Sequence, residues 1–199
     1  MVWYWRRSPR CPAGGGKRYL EGEAMTIEEA IKTALEFERK VHSLYVAAAK
    51  SAADSTAKKV FTTLGREEQG HIDYLESRLS EWQRDGHIQR EKLGSVLPSP
   101  ARIAEGIKRA RSGVGKSTGI HDVELASLNQ ALAAEDETTA FYERMVRELS
   151  DEGQTLFARF LEIEAGHSAI VRAEIDSVIK NGFWFDLKDD LKEFDLELA

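Results

Sequence analysis

Four stretches of the chain repeat apolar residues in steps of three and four positions. This spacing predicts amphipathic helices whose stripes face the core of a bundle. Each stripe also carries ionisable residues at positions where Leu or Ile is usual. The stripes are Ile27, Ile31, Ala34, Glu38, Val41, Tyr45 and Ala48; Phe61, Leu64, Glu68, His71, Leu75 and Leu79; Leu128, Ala131, Glu135, Thr138, Tyr142, Met145 and Leu149; and Phe157, Phe160, Glu164, His167, Val171, Ile175 and Val178.

Capping residues and glycines indicate where these helices begin and end. Thr26 and Glu29 have the spacing of a capping box. The first predicted helix covers about 26–52. The second runs from a cap at Asp54 or Ser55 to about 82–84 and stops at Asp85-Gly86. The third runs from His121 or Asp122 to Leu149, and the fourth runs from a cap at Ser150 to Asn181-Gly182.

The connections between these helices predict the topology. The first and last pairs are joined by short turns, so each pair is expected to form an antiparallel hairpin. The connection over about 85–120 is long enough to cross a bundle helix of about 42 Å and has room for a short helix over 101–111. One long crossover between two hairpins is the ferritin-like topology. We therefore predict an all-α, ferritin-like four-helix bundle over residues 25–182.

The two ends of the chain lack this periodicity. Residues 1–24 are interpreted as a disordered extension or a misassigned start, because Met25 precedes the first capping box. The tail over 183–199 begins with a short aromatic segment, Phe183-Trp184-Phe185. This segment is expected either to close the end of the bundle or to offer a surface for homodimerisation.

Composition narrows the classes of function. The chain has 199 residues and a formal net charge of −6, so a nucleic-acid partner is not expected. No apolar run approaches the ~18–20 residues that span a membrane. The single cysteine, Cys11, excludes an intrachain disulfide and any four-cysteine metal domain. These features indicate a cytoplasmic protein.

The ionisable residues of the stripes form a duplicated set of metal-ligand types. Four buried carboxylates cannot remain charged without partners, and the stripes offer no Lys or Arg. Two divalent cations would balance them, and each Glu-x-x-His places both side chains on one helix face. The alternative is a solvated face with two core histidines. The first copy is Glu38, Glu68 and His71, and the second, 96 or 97 residues later, is Glu135, Glu164 and His167.

Each copy also has a tyrosine seven residues after its first glutamate. Tyr45 and Tyr142 are predicted to hydrogen-bond to ligand carboxylates of the opposite helix pair and to donate protons; otherwise they are ordinary core aromatics. Mixed carboxylate and imidazole ligands suit iron, manganese or zinc, but oxygen or peroxide chemistry requires a redox-active pair.

The Glu, the following Tyr and the Glu-x-x-His, twice over, resemble the di-iron domain of rubrerythrins in the ferritin-like superfamily. The resemblance covers roughly residues 26–182. It implies two irons held by the six duplicated residues, with the four glutamates as terminal or bridging ligands and the two histidines as terminal ligands. It also implies reduction of hydrogen peroxide, consumption of dioxygen or oxidation of ferrous iron, in a protein expected to be a homodimer.

Two features differ from typical rubrerythrins. The chain lacks the rubredoxin domain, so electrons would come from a separate donor such as a rubredoxin-like protein. Thr138 stands where typical members have an extra glutamate. The sequence thus favours a di-iron peroxidase or oxidase; the alternatives are an iron-handling ferroxidase and a metal-stabilised interaction module without catalysis.

Overall fold

The computed structural model describes residues 25–89, 93–95, 97, 100–103, 105, 122–182 and 184. Its four long helices are α1 (Ile27–Ser51), α2 (Ser55–Asp85), α3 (Asp122–Glu148) and α4 (Asp151–Asn181). These described residues contain no β-strand, which confirms the predicted all-α class. None of the described helices has both the length and the apolar character needed to cross a bilayer.

Several predicted segments fall partly or wholly outside this description. Residues 100–103 and 105 are helical, but the rest of the short helix predicted over 101–111 lies outside the described residues. The same is true of the segment 1–24 and of the tail from residue 185 onward.

Local hydrogen bonds explain most of the helix ends. The Thr26 hydroxyl accepts a bond from the Glu29 amide (3.2 Å), and the Glu29 carboxylate accepts one from the Thr26 amide (2.9 Å). This is the predicted capping box. Asp54 caps α2 by accepting bonds from two amides of its first turn. Gly86 and Gly182 end α2 and α4 in the left-handed conformation, with φ of 67° and 70°.

The start of α4 differs from the prediction in one respect. Ser150 occupies the N-cap position, but its side chain makes no capping hydrogen bond. The chain enters the helix through Asp151, whose φ is 50°. This left-handed residue changes the direction of the backbone directly after Ser150. The sequence therefore predicted the N-cap position correctly but not the absence of a capping hydrogen bond from its side chain.

The helices form a bundle in which α1 packs against α2 and α3, and α3 packs against α4. The turns at 52–54 and 149–150 reverse the chain within each pair. Gln83 near the end of α2 donates a hydrogen bond to Glu28 near the start of α1 (2.9 Å), as expected for an antiparallel hairpin.

The apolar core is divided into two clusters. The first includes Val41, Tyr45, Phe61, Leu64, Leu128, Ile170 and Trp184, and the second includes Ile31, Leu75, Tyr142, Met145, Phe157 and Phe160. The duplicated Glu and His residues lie at the intervening positions along the helices. Trp184 packs edge-on against Phe61 with ring centroids 5.5 Å apart, so this part of the aromatic segment closes one end of the bundle.

On α2 the buried stripe departs from the predicted one at its last position. Arg78 is buried, with 2% exposure, whereas Leu79 is only partly buried. The alternation of three and four residues through His71 and Leu75 continues to position 78, so a regular helix turns Arg78 inward. Its guanidinium donates to the Gln89 carbonyl (3.0 Å) and pairs with Glu81 (2.9 Å).

Candidate metal centre

Six ionisable side chains from all four helices meet between the two apolar clusters. Each has a relative exposure of 0–1%. They are Glu38 of α1, Glu68 and His71 of α2, Glu135 of α3, and Glu164 and His167 of α4. The structure thus brings together all six residues of the duplicated set.

His71 faces three of the carboxylates through one ring nitrogen. Its Nδ1 lies 3.1 Å from an oxygen of Glu38, 3.3 Å from Glu68 and 3.5 Å from Glu164. The first of these contacts is a hydrogen bond. One nitrogen therefore points to a position that three carboxylates also approach.

His167 has the equivalent arrangement. Its Nδ1 lies 2.7 Å from Glu68, 3.8 Å from Glu135 and 3.7 Å from Glu164. The His71 and His167 rings are stacked, with centroids 5.1 Å apart and planes inclined by 9°. Glu68 and Glu164 therefore approach both imidazoles, and these four residues form a buried group that could hold a metal ion, with ligand atoms within 4.8 Å of one another.

Many polar atoms of this cluster lack hydrogen-bond partners. The short contact between Glu68 and His167 does not have hydrogen-bond geometry. Buried polar atoms are normally paired, and an unpaired buried carboxylate is especially unfavourable. Divalent cations fit this need, because carboxylate and imidazole are ligands that iron, manganese and zinc accept. The unpartnered atoms are Glu68 Oε1, His71 Nε2, Glu135 Oε2, both carboxylate oxygens of Glu164 and both ring nitrogens of His167.

The pKa values of the four carboxyl groups are shifted in different directions: three are raised and one is lowered. Burial, together with the charge of Glu68, raises the pKa of Glu38 to about 8. Burial and Glu68 also raise the pKa of Glu135, and burial and Glu135 raise the pKa of Glu164 well above its usual value. Burial would raise the pKa of Glu68 too, but the two adjacent imidazoles hold it well below its usual value.

The imidazoles respond to the same carboxylates. Burial would lower the pKa of His71, but Glu68 and Glu38 raise it to about 9. Burial likewise opposes the charge of His167, yet Glu68 and Glu164 raise its pKa well above the usual value. Protons therefore balance the cluster in the absence of cations, and any metal ions that bind there would have to displace them.

Both tyrosines make the predicted contacts with the opposite helix pair. Tyr45 Oη donates to Glu135 Oε1 at 2.5 Å, and Tyr142 Oη donates to Glu38 Oε1. Burial and the adjacent carboxylate raise the pKa of each phenol well above its usual value. The phenols thus remain protonated and hold one oxygen of each carboxylate in place.

The position occupied by glutamate in typical rubrerythrins offers no further ligand. Thr138 is buried, but its hydroxyl donates to the Ala134 carbonyl (3.0 Å). Glu137 is exposed and pairs with Lys40. The candidate set therefore consists of the six duplicated residues.

A glycine precedes the cluster histidine in both copies: Gly70 precedes His71, and Gly166 precedes His167. A glycine that recurs before the histidine of both copies predicts close packing or space for a ligand at that position. Gly70 is exposed, and no atom lies within 4 Å of the position that a Cβ would occupy. Close packing at Gly70 is therefore wrong.

One acidic neighbour of the cluster was not identified from the sequence. The Glu67 side chain is only 11% exposed, and its Oε2 lies 4.0 Å from His167 Nε2. Beside the predicted ligand Glu68 it resembles an ordinary solvent-facing residue. One feature of the sequence did indicate that this position is covered: the equivalent residue of the second copy is the apolar Ile163.

Comparisons with protein-family models, with curated proteins and with solved structures found no match for this chain.

Proposed function

We propose that this protein is a di-iron oxidoreductase of the rubrerythrin type with a ferritin-like topology. It reduces hydrogen peroxide or dioxygen with electrons from a separate donor. The observation that carries the proposal is the duplicated geometry of the buried cluster. Glu68 and Glu164 approach both imidazoles, whereas Glu38 approaches His71. Glu135 approaches His167 in the equivalent way.

These distances support a division of the proposed ligands into two halves. Glu38 and His71 Nδ1 would hold one ion. Glu135 and His167 Nδ1 would hold the other, and the carboxylates of Glu68 and Glu164 would lie between them. Four carboxylates against two divalent cations give a neutral centre, which suits a site enclosed by apolar clusters.

When bound, two ferrous ions supply the two electrons that peroxide reduction consumes. The chain has three tasks. The apolar clusters on both sides keep bulk water from the site. Tyr45 and Tyr142 orient Glu135 and Glu38 through their hydroxyls. They also hold two protons at Oη, and conversion of one peroxide to two waters consumes two protons and two electrons.

The test is stopped-flow absorbance of the iron-loaded, reduced protein under anaerobic conditions. The protein is mixed separately with peroxide and with air-saturated buffer, and iron is counted on the same sample. We expect two irons per chain, oxidised faster by peroxide than by oxygen. Glu68→Ala should lose both metal and reaction, because its carboxylate approaches both imidazoles. Glu143→Gln, an exposed change on α3, serves as the matched control.

Other results would indicate other functions. Continuing turnover of added ferrous iron with oxygen would support a ferroxidase. Retention of zinc without redox activity would support a metal-stabilised interaction module. Fewer than one metal per chain, equal in Glu68→Ala and the unaltered protein, would contradict the metal centre itself.

A further inference from the structure

Among the described residues, a carboxylate lies near the outer nitrogen of one imidazole of the cluster but not of the other. Both rings turn Nδ1 toward the carboxylates, which leaves Nε2 on the far side. His71 packs edge-on against Phe160, with ring centroids 5.4 Å apart, and its Nε2 is buried without a hydrogen-bond partner. His167 Nε2 instead faces the Glu67 carboxylate at 4.0 Å. The duplicated halves are therefore unequal.

The connection between the hairpins holds Glu67 in this position. Ser95 Oγ donates to Glu67 Oε2 at 2.5 Å, and the Leu97 amide donates to Ser95 Oγ at 3.1 Å. Position 163, the equivalent in the second copy, is a buried isoleucine. A carboxylate beside one histidine, held by residues from outside the bundle helices, is thus specific to one half of the centre.

A carboxylate beside the outer nitrogen of a histidine ligand can orient the ring and strengthen its bond to the metal. If Nδ1 gives its lone pair to a metal, the neutral ring carries its proton on Nε2. Histidine ligands usually direct that N–H at a carboxylate, carbonyl or water, which fixes the ring and strengthens the ligand. At 4.0 Å the contact is longer than a hydrogen bond, so Glu67 places a carboxyl group opposite the outer nitrogen without bonding to it.

We propose that Glu67 is a positioning residue for His167, so that the half of the centre held by His167 binds its metal more tightly than the half held by His71. This inference rests on the proposed metal centre. Glu67 acts through the imidazole, and Ser95 keeps its carboxylate in place.

The test measures the two binding steps separately with Co²⁺ alone. Visible absorbance is followed under anaerobic conditions in competition with a chelator of known affinity. Glu67→Gln keeps the volume and removes the charge, and Glu143→Gln makes the same change on an exposed surface. We expect Glu67→Gln to weaken one step by about 10-fold and to leave the other unchanged. This is the low end of the loss seen for outer carboxylates, because the 4.0 Å contact is longer than a hydrogen bond. Ser95→Ala should weaken the same step less.

A double-mutant cycle identifies the half that Glu67 serves. With His71→Ala as background, Glu67→Gln should still weaken binding of the remaining ion. With His167→Ala as background, it should have no further effect, because there is no imidazole to position. A purely structural role would change the thermal midpoint of the metal-free proteins without this selectivity.

The outcomes separate the two proposals. If the unaltered protein binds fewer than two Co²⁺, the proposed centre does not hold two metals, and binding of fewer than one contradicts the metal centre itself. If it binds two and Glu67→Gln binds them equally well, or weakens both steps alike, the role of Glu67 is wrong. Ser95→Ala provides an independent reading if the Glu67 variant does not fold.

Discussion

Loading the centre with divalent metal at neutral pH should release protons. The pKa values of the cluster set a minimum for their number. Ligands must be deprotonated to bind a metal. With a pKa of about 8, Glu38 is about 90% protonated at pH 7. With a pKa of about 9, His71 is almost fully protonated. These two groups alone release about two protons per chain, and the groups with pKa values raised further add to them.

The sign of the pH dependence follows from the same shifts. In the metal-free protein, the raised pKa values of Glu38 and His71 stabilise the fold fully below their unfolded values of 4.5 and 6.5. This stabilisation is lost as pH rises through about 8 for Glu38 and about 9 for His71. The metal-loaded protein would not lose it, because the ions would replace the protons. The gain in thermal midpoint from metal should therefore increase from pH 6 to pH 8.

Titration calorimetry with Zn²⁺ measures the release, because zinc has no redox chemistry to interfere. The heat of binding is compared at pH 7 in two buffers with different ionisation enthalpies, and the difference gives the number of protons. Glu38→Gln should release about one proton fewer, since it removes a group that is mostly protonated at pH 7. Glu143→Gln should not differ from the unaltered protein. Release of less than one proton per chain would refute the electrostatic description of the cluster.

Two further substitutions test local parts of the argument. Tyr142→Phe removes the hydroxyl that donates to Glu38 and leaves a buried carboxyl oxygen without its partner. It should lower the free energy of unfolding of the metal-free protein by about 1–3 kcal/mol, as measured by urea denaturation; an unchanged midpoint would contradict this bond. Gly70→Ala should raise the free energy of unfolding by about 0.5–1 kcal/mol without altering metal affinity, because the added methyl group meets no atom within 4 Å. The matched Gly153→Ala should raise the free energy of unfolding less, or lower it, because its Cβ would lie 3.1 Å from Leu149. Equal increases at both positions would show that packing does not decide the effect.

The helices were predictable because each carries independent signals that agree. Periodicity identified the buried stripes, and Thr26, Asp54, Gly86 and Gly182 identified the ends through chemistry local to a few residues. The six cluster residues could be selected because glutamate and histidine on an apolar stripe are unfavourable, and the same exception occurs twice. These signals depend on neighbours along the chain, so they can be recognised without knowledge of the tertiary structure.

The remaining features depend on contacts between helices, which periodicity does not specify. The stripes place Glu38 and Glu68 in the same core, but only packing shows that Glu68 approaches both imidazoles whereas Glu38 approaches His71. The partners of Arg78 are likewise set by the folded connection after α2. Glu67 lies at the edge of its stripe, where sequence alone does not separate a solvent-facing side chain from one that is largely covered.

The difference between the two halves bears on how the duplicated set would work as one centre. Two identical halves would bind two ions with similar affinity, apart from the repulsion between the ions. Phe160 packs against His71, whereas Leu64 stands at the equivalent position of the first copy. A carboxylate lies beside His167 instead. An apolar contact limits where a ring can lie, whereas a negative charge also strengthens its nitrogen as a ligand. The half held by His167 should therefore fill first, and the half held by His71 should lose its ion more readily.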